Sequence, residues 1–189
     1  MNIYQRKTDS LAYATGSFKT ILEDVNLRWG DKTNKIIELG KQVNIDVSKA
    51  LDSKKDSLSQ KDDILSKLSS LGKLFSLMEI INKERMDLMI EMEGLDFPLK
   101  TLRKILILCK EEKQAMEMLE NFASNLGKTV LFIENGKTEE ELVSTSLNSF
   151  ETAFNDFEEL VNNGIQFNSH LNDELDKEHK KARKYLGIV

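Results

Sequence analysis

Cysteine, proline and glycine are all scarce in this chain of 189 residues. Each scarcity excludes something. A single cysteine, Cys109, can form neither an internal disulfide framework nor a multi-cysteine zinc site. One proline and nine glycines leave little material for the many tight turns of a β-fold. Long apolar runs are missing too. The longest, Ile105-Leu106-Ile107-Leu108-Cys109, falls far short of the ~20 residues a membrane-spanning helix needs. Nor does one sign of charge dominate. With 27 lysines and arginines against 32 aspartates and glutamates, the net charge is −5, which excludes a uniformly basic nucleic-acid binder. What is present, 40% hydrophobic and 31% charged residues, suits long amphipathic helices.

Met1 to Ser10 carries no apolar core behind its charges and does not read as a secretory signal. Asn2 stands where myristoylation requires glycine, and no C-terminal cysteine box offers a prenyl anchor. The expected location is therefore cytoplasmic, peripheral to membranes if an anionic bilayer is bound.

Four stretches carry helical periodicity. The first keeps a heptad through Leu11, Thr15, Phe18, Leu22, Val25, Trp29, Lys32, Ile36, Leu39, Val43, Asp46 and Ala50, in alternating steps of four and three. Gly16, Gly30 and Gly40 fall off that seam, each costing roughly 1 kcal/mol relative to alanine. Asp52 to Ser57 then interrupts the pattern, and Ser57 with Gln60 has capping-box spacing. The second stretch is expected to bury Ile64, Leu68, Leu71, Phe75, Met78, Ile81, Leu88 and Met92. At Gly94-Leu95-Asp96-Phe97-Pro98 comes the clearest break, with glycine to end one helix and aspartate and proline to start the next.

The third stretch is expected to bury Leu99, Leu102, Leu106, Cys109, Met116, Leu119, Phe122, Leu126 and Val130. The apolar run Val130 to Ile133 has no partner strand and reads as the fraying end of that helix. Asn135-Gly136 supplies a turn, and Thr138 with Glu141 a second capping box. The fourth seam is the most regular: Val143, Leu147, Phe150, Phe154, Phe157, Val161, Gly164, Asn168, Leu171, Leu175, Glu178, Ala182 and Tyr185. Its three phenylalanines are expected at the thickest part of the core. The fold expected is an all-α, elongated bundle of three or four long antiparallel helices with coiled-coil-like packing. It forms one domain over residues 1–189, with helices near 3–52, 57–93, 97–134 and 138–186 and the main break at 94–98.

Catalytic signatures are sparse. Gly127-Lys128-Thr129 and Gly136-Lys137-Thr138 resemble the end of a phosphate-binding loop. The glycine needed five positions earlier is replaced by Phe122 and Leu131, so neither segment can curl its amides around phosphate. His170 and His179 are nine apart, without the spacing that puts two metal ligands on one helix face, and read as solvated surface groups. Cys109, on an apolar face, reads as a small buried hydrophobe. The expectation is a non-enzyme with no catalytic, cofactor-binding or metal-binding residues and no cofactor.

Charge is where the chain stands out. From Thr138 to Asp176 there are ten acids and no lysine or arginine. Lys177, Lys180, Lys181, Arg183 and Lys184 then follow within eight residues, opposed only by Glu178. An acidic start and a basic end match the helix dipole. The basic cluster is also the candidate site for docking an anionic surface or partner.

The residues from Leu99 onward resemble, in order and character, the opening helices of BAR-domain proteins. A long helix reaches Phe122-Ala123-Ser124-Asn125-Leu126 and is followed by a short acidic turn region. A second helix carries Ser146-Leu147-Asn148-Ser149-Phe150 and ends in Lys180-Lys181-Ala182-Arg183-Lys184-Tyr185. That resemblance implies a curved-membrane-binding dimer, with the basic helix end at the membrane-facing tip.

Three functional classes fit these helices. The first is a scaffold or interaction protein that self-associates or binds a helical partner, motivated by Trp29 and the long seam of the first stretch. Its expected partners are a second copy or another protein chain, and no nucleic acid. The second is a BAR-like peripheral membrane-binding dimer on an anionic surface. The third is an α-helical toxin or effector component, although no long apolar hairpin is in view.

Overall fold

The computed structural model describes residues 3–52, 57–94, 99–131 and 140–187, the side chains of 3–12 and 57–59 excepted. Of these residues 97% are helical and none is in a strand. There are four helices: α1 (Ile3–Asp52), α2 (Ser57–Gly94), α3 (Leu102–Val130) and α4 (Glu140–Tyr185). The fold is an all-α bundle. The expected breaks at 53–56, Leu95 to Pro98 and Asn135-Gly136, and the Thr138 cap, lie outside the described residues; Gly94 is the last residue of α2.

The chain divides into two compact units, and each helix contributes to both. The first comprises the described parts of Met1–Gly30, Ile81–Cys109 and Asn162–Val189; the second, Asp31–Ile80 and those of Lys110–Val161. Within the first unit, Lys19 meets Asp176 of α4, Arg28 meets Glu84 of α2, and Arg103 of α3 meets Glu93 of α2. Its core joins Phe18, Leu22, Met89, Met92, Leu102, Ile105, Cys109, Leu171 and Leu175. Within the second, Lys41 meets Glu158 of α4 and Lys67 of α2 meets Asp46. There Phe150, Phe154 and Phe157 are fully buried, the first two stacked at 6.2 Å between centroids. Neighbouring helices run antiparallel in each unit, as short connections require.

The seam of α4 is buried as its heptad predicts from Val143 to Leu175 and again at Ala182. Tyr185, expected on that seam, is instead 86% exposed. In α1 the buried line is Thr15, Phe18, Leu22, Val25, Trp29, Thr33, Ile36, Gly40, Val43, Val47 and Ala50. Beyond Trp29 it departs from expectation: Thr33, Gly40 and Val47 take the places given to Lys32, Leu39 and Asp46, which are half-buried. The steps Leu22, Val25, Trp29, Thr33 cover eleven residues in three turns, closer to the natural 3.6 period than a strict heptad is. In α3 the line is Leu102, Ile105, Cys109, Glu112, Met116, Leu119, Ala123, Leu126 and Val130. Leu106 and Phe122 are half-buried rather than buried.

Two glycines fix how α1 and α4 approach. At Gly164 an added Cβ would lie 2.8 Å from Cη2 of Trp29. At Gly40, buried on the seam rather than off it, an added Cβ would land on the ring of Phe154. Each helix thus offers one aromatic ring and one glycine seat, one pairing in each unit. Only a residue without a Cβ lets the ring lie this close to the facing backbone.

Candidate functional site

Glu174 sets the start of the site. Thr101, just before α3, donates its backbone N–H to Glu174 Oε2 at 3.1 Å, so α4 supplies a cap for one of the orphan amides at the start of α3. α4 then continues through Tyr185 for the eleven residues Leu175–Tyr185, about 16 Å. In that extension only Leu175 and Ala182 are buried. Tyr185 follows the half-buried Phe167, which carries Lys104 of α3 over its ring at 5.9 Å, by 18 residues. Eighteen residues are five whole turns, so Tyr185 faces the side α3 covers lower down. It is exposed because α3 begins at the level of Glu174.

Among the described residues, two polar contacts tie the extension to α1. Thr15 Oγ1 lies 3.0 Å from His179 Nδ1, and Lys19 Nζ lies 2.6 Å from Asp176 Oδ1. The hydrogen bond from Lys19, aided by its charge and those of Lys180 and His179, holds the Asp176 carboxyl below its ordinary range despite some desolvation. Asp176 in turn raises Lys19. His179 is half-buried rather than a solvated surface group, whereas His170 is exposed as expected. α4 closes on Gly187, whose φ of +68° is the left-handed conformation that glycine adopts freely. The Gly187 N–H donates to the Lys184 carbonyl at 3.2 Å.

Lys177, Lys180, Lys181, Arg183 and Lys184 are all exposed on this extension. Lys181 donates to Glu178 at 2.6 Å. Among the described residues the other four form no ion pair. The two acids of the extension, Asp176 before the bases and Glu178 among them, are already engaged. The cluster therefore presents an excess of positive charge to solvent.

The first unit also buries polar groups that a hydrophobicity pattern passes over. Arg85 is fully buried, its guanidinium 4.5 Å from the ring centroid of Trp29 and its Nη2 donating to Asn168 Oδ1 at 3.3 Å. Asn82 donates its side-chain amide to the Cys109 carbonyl at 2.7 Å. In α2 the positions Leu71, Phe75, Met78, Asn82, Arg85, Met89 and Met92 alternate steps of four and three, and all are buried. The heptad register was the signal that could have found Arg85 and Asn82; reading only apolar residues skips them. The same holds for Glu112, fully buried on the α3 seam.

Cys109 is buried, in keeping with its sequence reading. Gly127-Lys128-Thr129 lies within helix α3. Between α2 and α3 of the second unit lies a hollow of ≈ 250 Å³, walled by Leu68, Gly72, Phe75, Ala123 and Gly127 with Glu120 at its side. Among the described residues no cluster of three potential metal ligands occurs, and no helix is long and apolar enough to cross a membrane. No family model, no curated protein and no solved structure matches the chain.

Proposed function

We propose that the chain is a non-enzymatic helical interaction protein that holds an acidic protein partner through the basic end of α4. The observation that carries this reading is the extension beyond Glu174. It presents five exposed bases, while its two acids are already paired. Trp29 does not supply an interface. It is 2% exposed, seated against Gly164 and under Arg85 within its own unit, so the α1 seam is spent on the chain's own core. Such a partner is attracted by charge over a Debye length of about 8 Å at physiological ionic strength, so binding weakens with salt.

The test uses the full chain and fluorescent polyglutamate as a surrogate for an acidic chain. Binding is expected at low salt, to be lost on adding salt and in the variant K180E/K181E/K184E, with Trp29 emission unchanged. Co-sedimentation with phosphatidylserine vesicles, without polyglutamate binding, would favour instead the peripheral membrane role that the BAR resemblance implies. Binding to neither would overturn the interaction reading.

A further inference from the structure

Within the first unit, the line along which α3 lies on α4 runs on past the start of α3. Lys104 of α3 sits over Phe167, and Thr101, one residue before α3, is capped by Glu174. Five turns beyond Phe167 the same direction is taken by Tyr185, 86% exposed. Between Glu174 and Tyr185 on that side stand Glu178 and Lys181, paired with each other at 2.6 Å. At about 100° per residue, Lys181, Lys177 and Lys184 lie about 40°, about 80° and about 100° to one side of Tyr185, so they form a single basic edge. His179, about 120° to the other side, is held by Thr15 of α1, so α1 leaves that edge open. Lys100, next to the capped Thr101, is exposed at the foot of the same stretch.

Resting on the interaction reading above, we infer that the acidic partner docks as a short helix that continues the line of α3 along the α4 extension. It seats an apolar residue on Tyr185 and turns an acidic edge to Lys177 and Lys184. The eleven residues Leu175–Tyr185 offer about 16 Å, room for about three helical turns. Tyrosine suits the anchor, because its ring gives apolar area while its hydroxyl stays in water at the rim. Asp173, one turn below Lys177 on the same edge, is exposed. A flat anionic bilayer laid along that edge meets this carboxylate, whereas a helix three turns long ends above it. Charge complementarity therefore favours a helix over a lipid surface.

The full chain is tested with two fluorescent peptides of about 20 residues, long enough to hold a helix in water. Both have the same content of glutamate, leucine and alanine. One gathers its leucines on one face, and the other scatters them round the helix. At about 0.05 M salt the patterned peptide is expected to bind about tenfold tighter than the scattered one. Y185S should remove that difference and leave the scattered peptide's affinity unchanged, whereas Y185F should keep it. K177E/K184E should weaken both peptides. In Y185W the new indole should shift its emission to the blue on binding the patterned peptide, against the constant signal of the buried Trp29. All three positions are exposed, so circular dichroism should not change. Equal affinities for the two peptides, a preference that survives Y185S, or an unshifted Y185W overturns this docking mode and leaves the interaction reading intact. Binding of polyglutamate but of neither peptide does the same. Binding to neither peptide nor to polyglutamate overturns both. Binding only to phosphatidylserine vesicles also overturns both and assigns the basic end to lipid.

Discussion

Single glycines decide how closely α1 and α4 pack. Gly164→Ala puts a methyl group 2.8 Å from Cη2 of Trp29 and 3.2 Å from Cδ2 of Leu108. Overpacking of this kind costs about 1–3 kcal/mol, against which alanine returns up to ~1 kcal/mol of helix propensity. Gly164→Ala and Gly40→Ala are both expected to lower the urea midpoint at unchanged slope, Gly40→Ala by more because its methyl would fall on the Phe154 ring. Gly72→Ala has no atom within 4 Å of its new methyl and is expected to raise the midpoint, for a stability gain of about 0.5–1 kcal/mol. The sequence marks Gly40 only as a mild cost off the seam and Gly164 only as a seam position, because nothing local tells a seat for a ring from an open surface. Arg85 shows the same limit. Its truncation to alanine removes the cation from Trp29 and opens a cavity, and a loss of about 2–4 kcal/mol is expected, together with shifted emission from the only tryptophan.

At the scale of elements, the start of α3 and the end of α4 are finished by different devices. α4 ends on Gly187 in the left-handed conformation. α3 begins with an amide held by Glu174, which lies 73 residues away and has no local signature. The pairing of α1 with the α4 extension adds a pH dependence whose sign follows from Asp176. Its carboxyl titrates below the ordinary carboxylate range when folded, so its contribution is present above the unfolded value of about 3.9. That contribution is lost as pH falls through the folded value. Both side chains are about a third exposed, at 35% and 39%, so the amount is well below 1 kcal/mol after solvent screening. Asp176→Asn is expected to flatten the acid limb of stability below about pH 4 slightly, measured by urea unfolding across pH, while leaving stability at pH 7 nearly unchanged.

For the whole molecule, charge and core are carried by separate surfaces. Each unit has its own apolar core, and the basic end of α4 contributes almost nothing to either: beyond Leu175, only Ala182 is buried. Hydrogen exchange is therefore expected to be faster in the extension after Leu175 than across Phe150 to Phe157, because local opening there exposes little apolar surface. By the same reasoning K180E/K181E/K184E should leave helix content and melting temperature nearly unchanged, as substitutions at exposed positions do. A large loss of either would show that the cluster supports the fold.

The sequence by itself determined the class of fold and most of the core. A helix buries a stripe at its own period, so alternating steps of three and four mark the inward residues without reference to a partner; α4 follows this from Val143 to Leu175. The exposed basic cluster was legible for the same reason, since strongly charged residues off the seam have nowhere to go but solvent. Tertiary structure decided what depends on a facing helix. It placed Gly40 and Gly164 under aromatic rings and drew Arg85 into the core beside Trp29. It also left Tyr185 in water although it stands on the seam, because a seam position is buried only where another helix reaches it, and α3 begins at the level of Glu174.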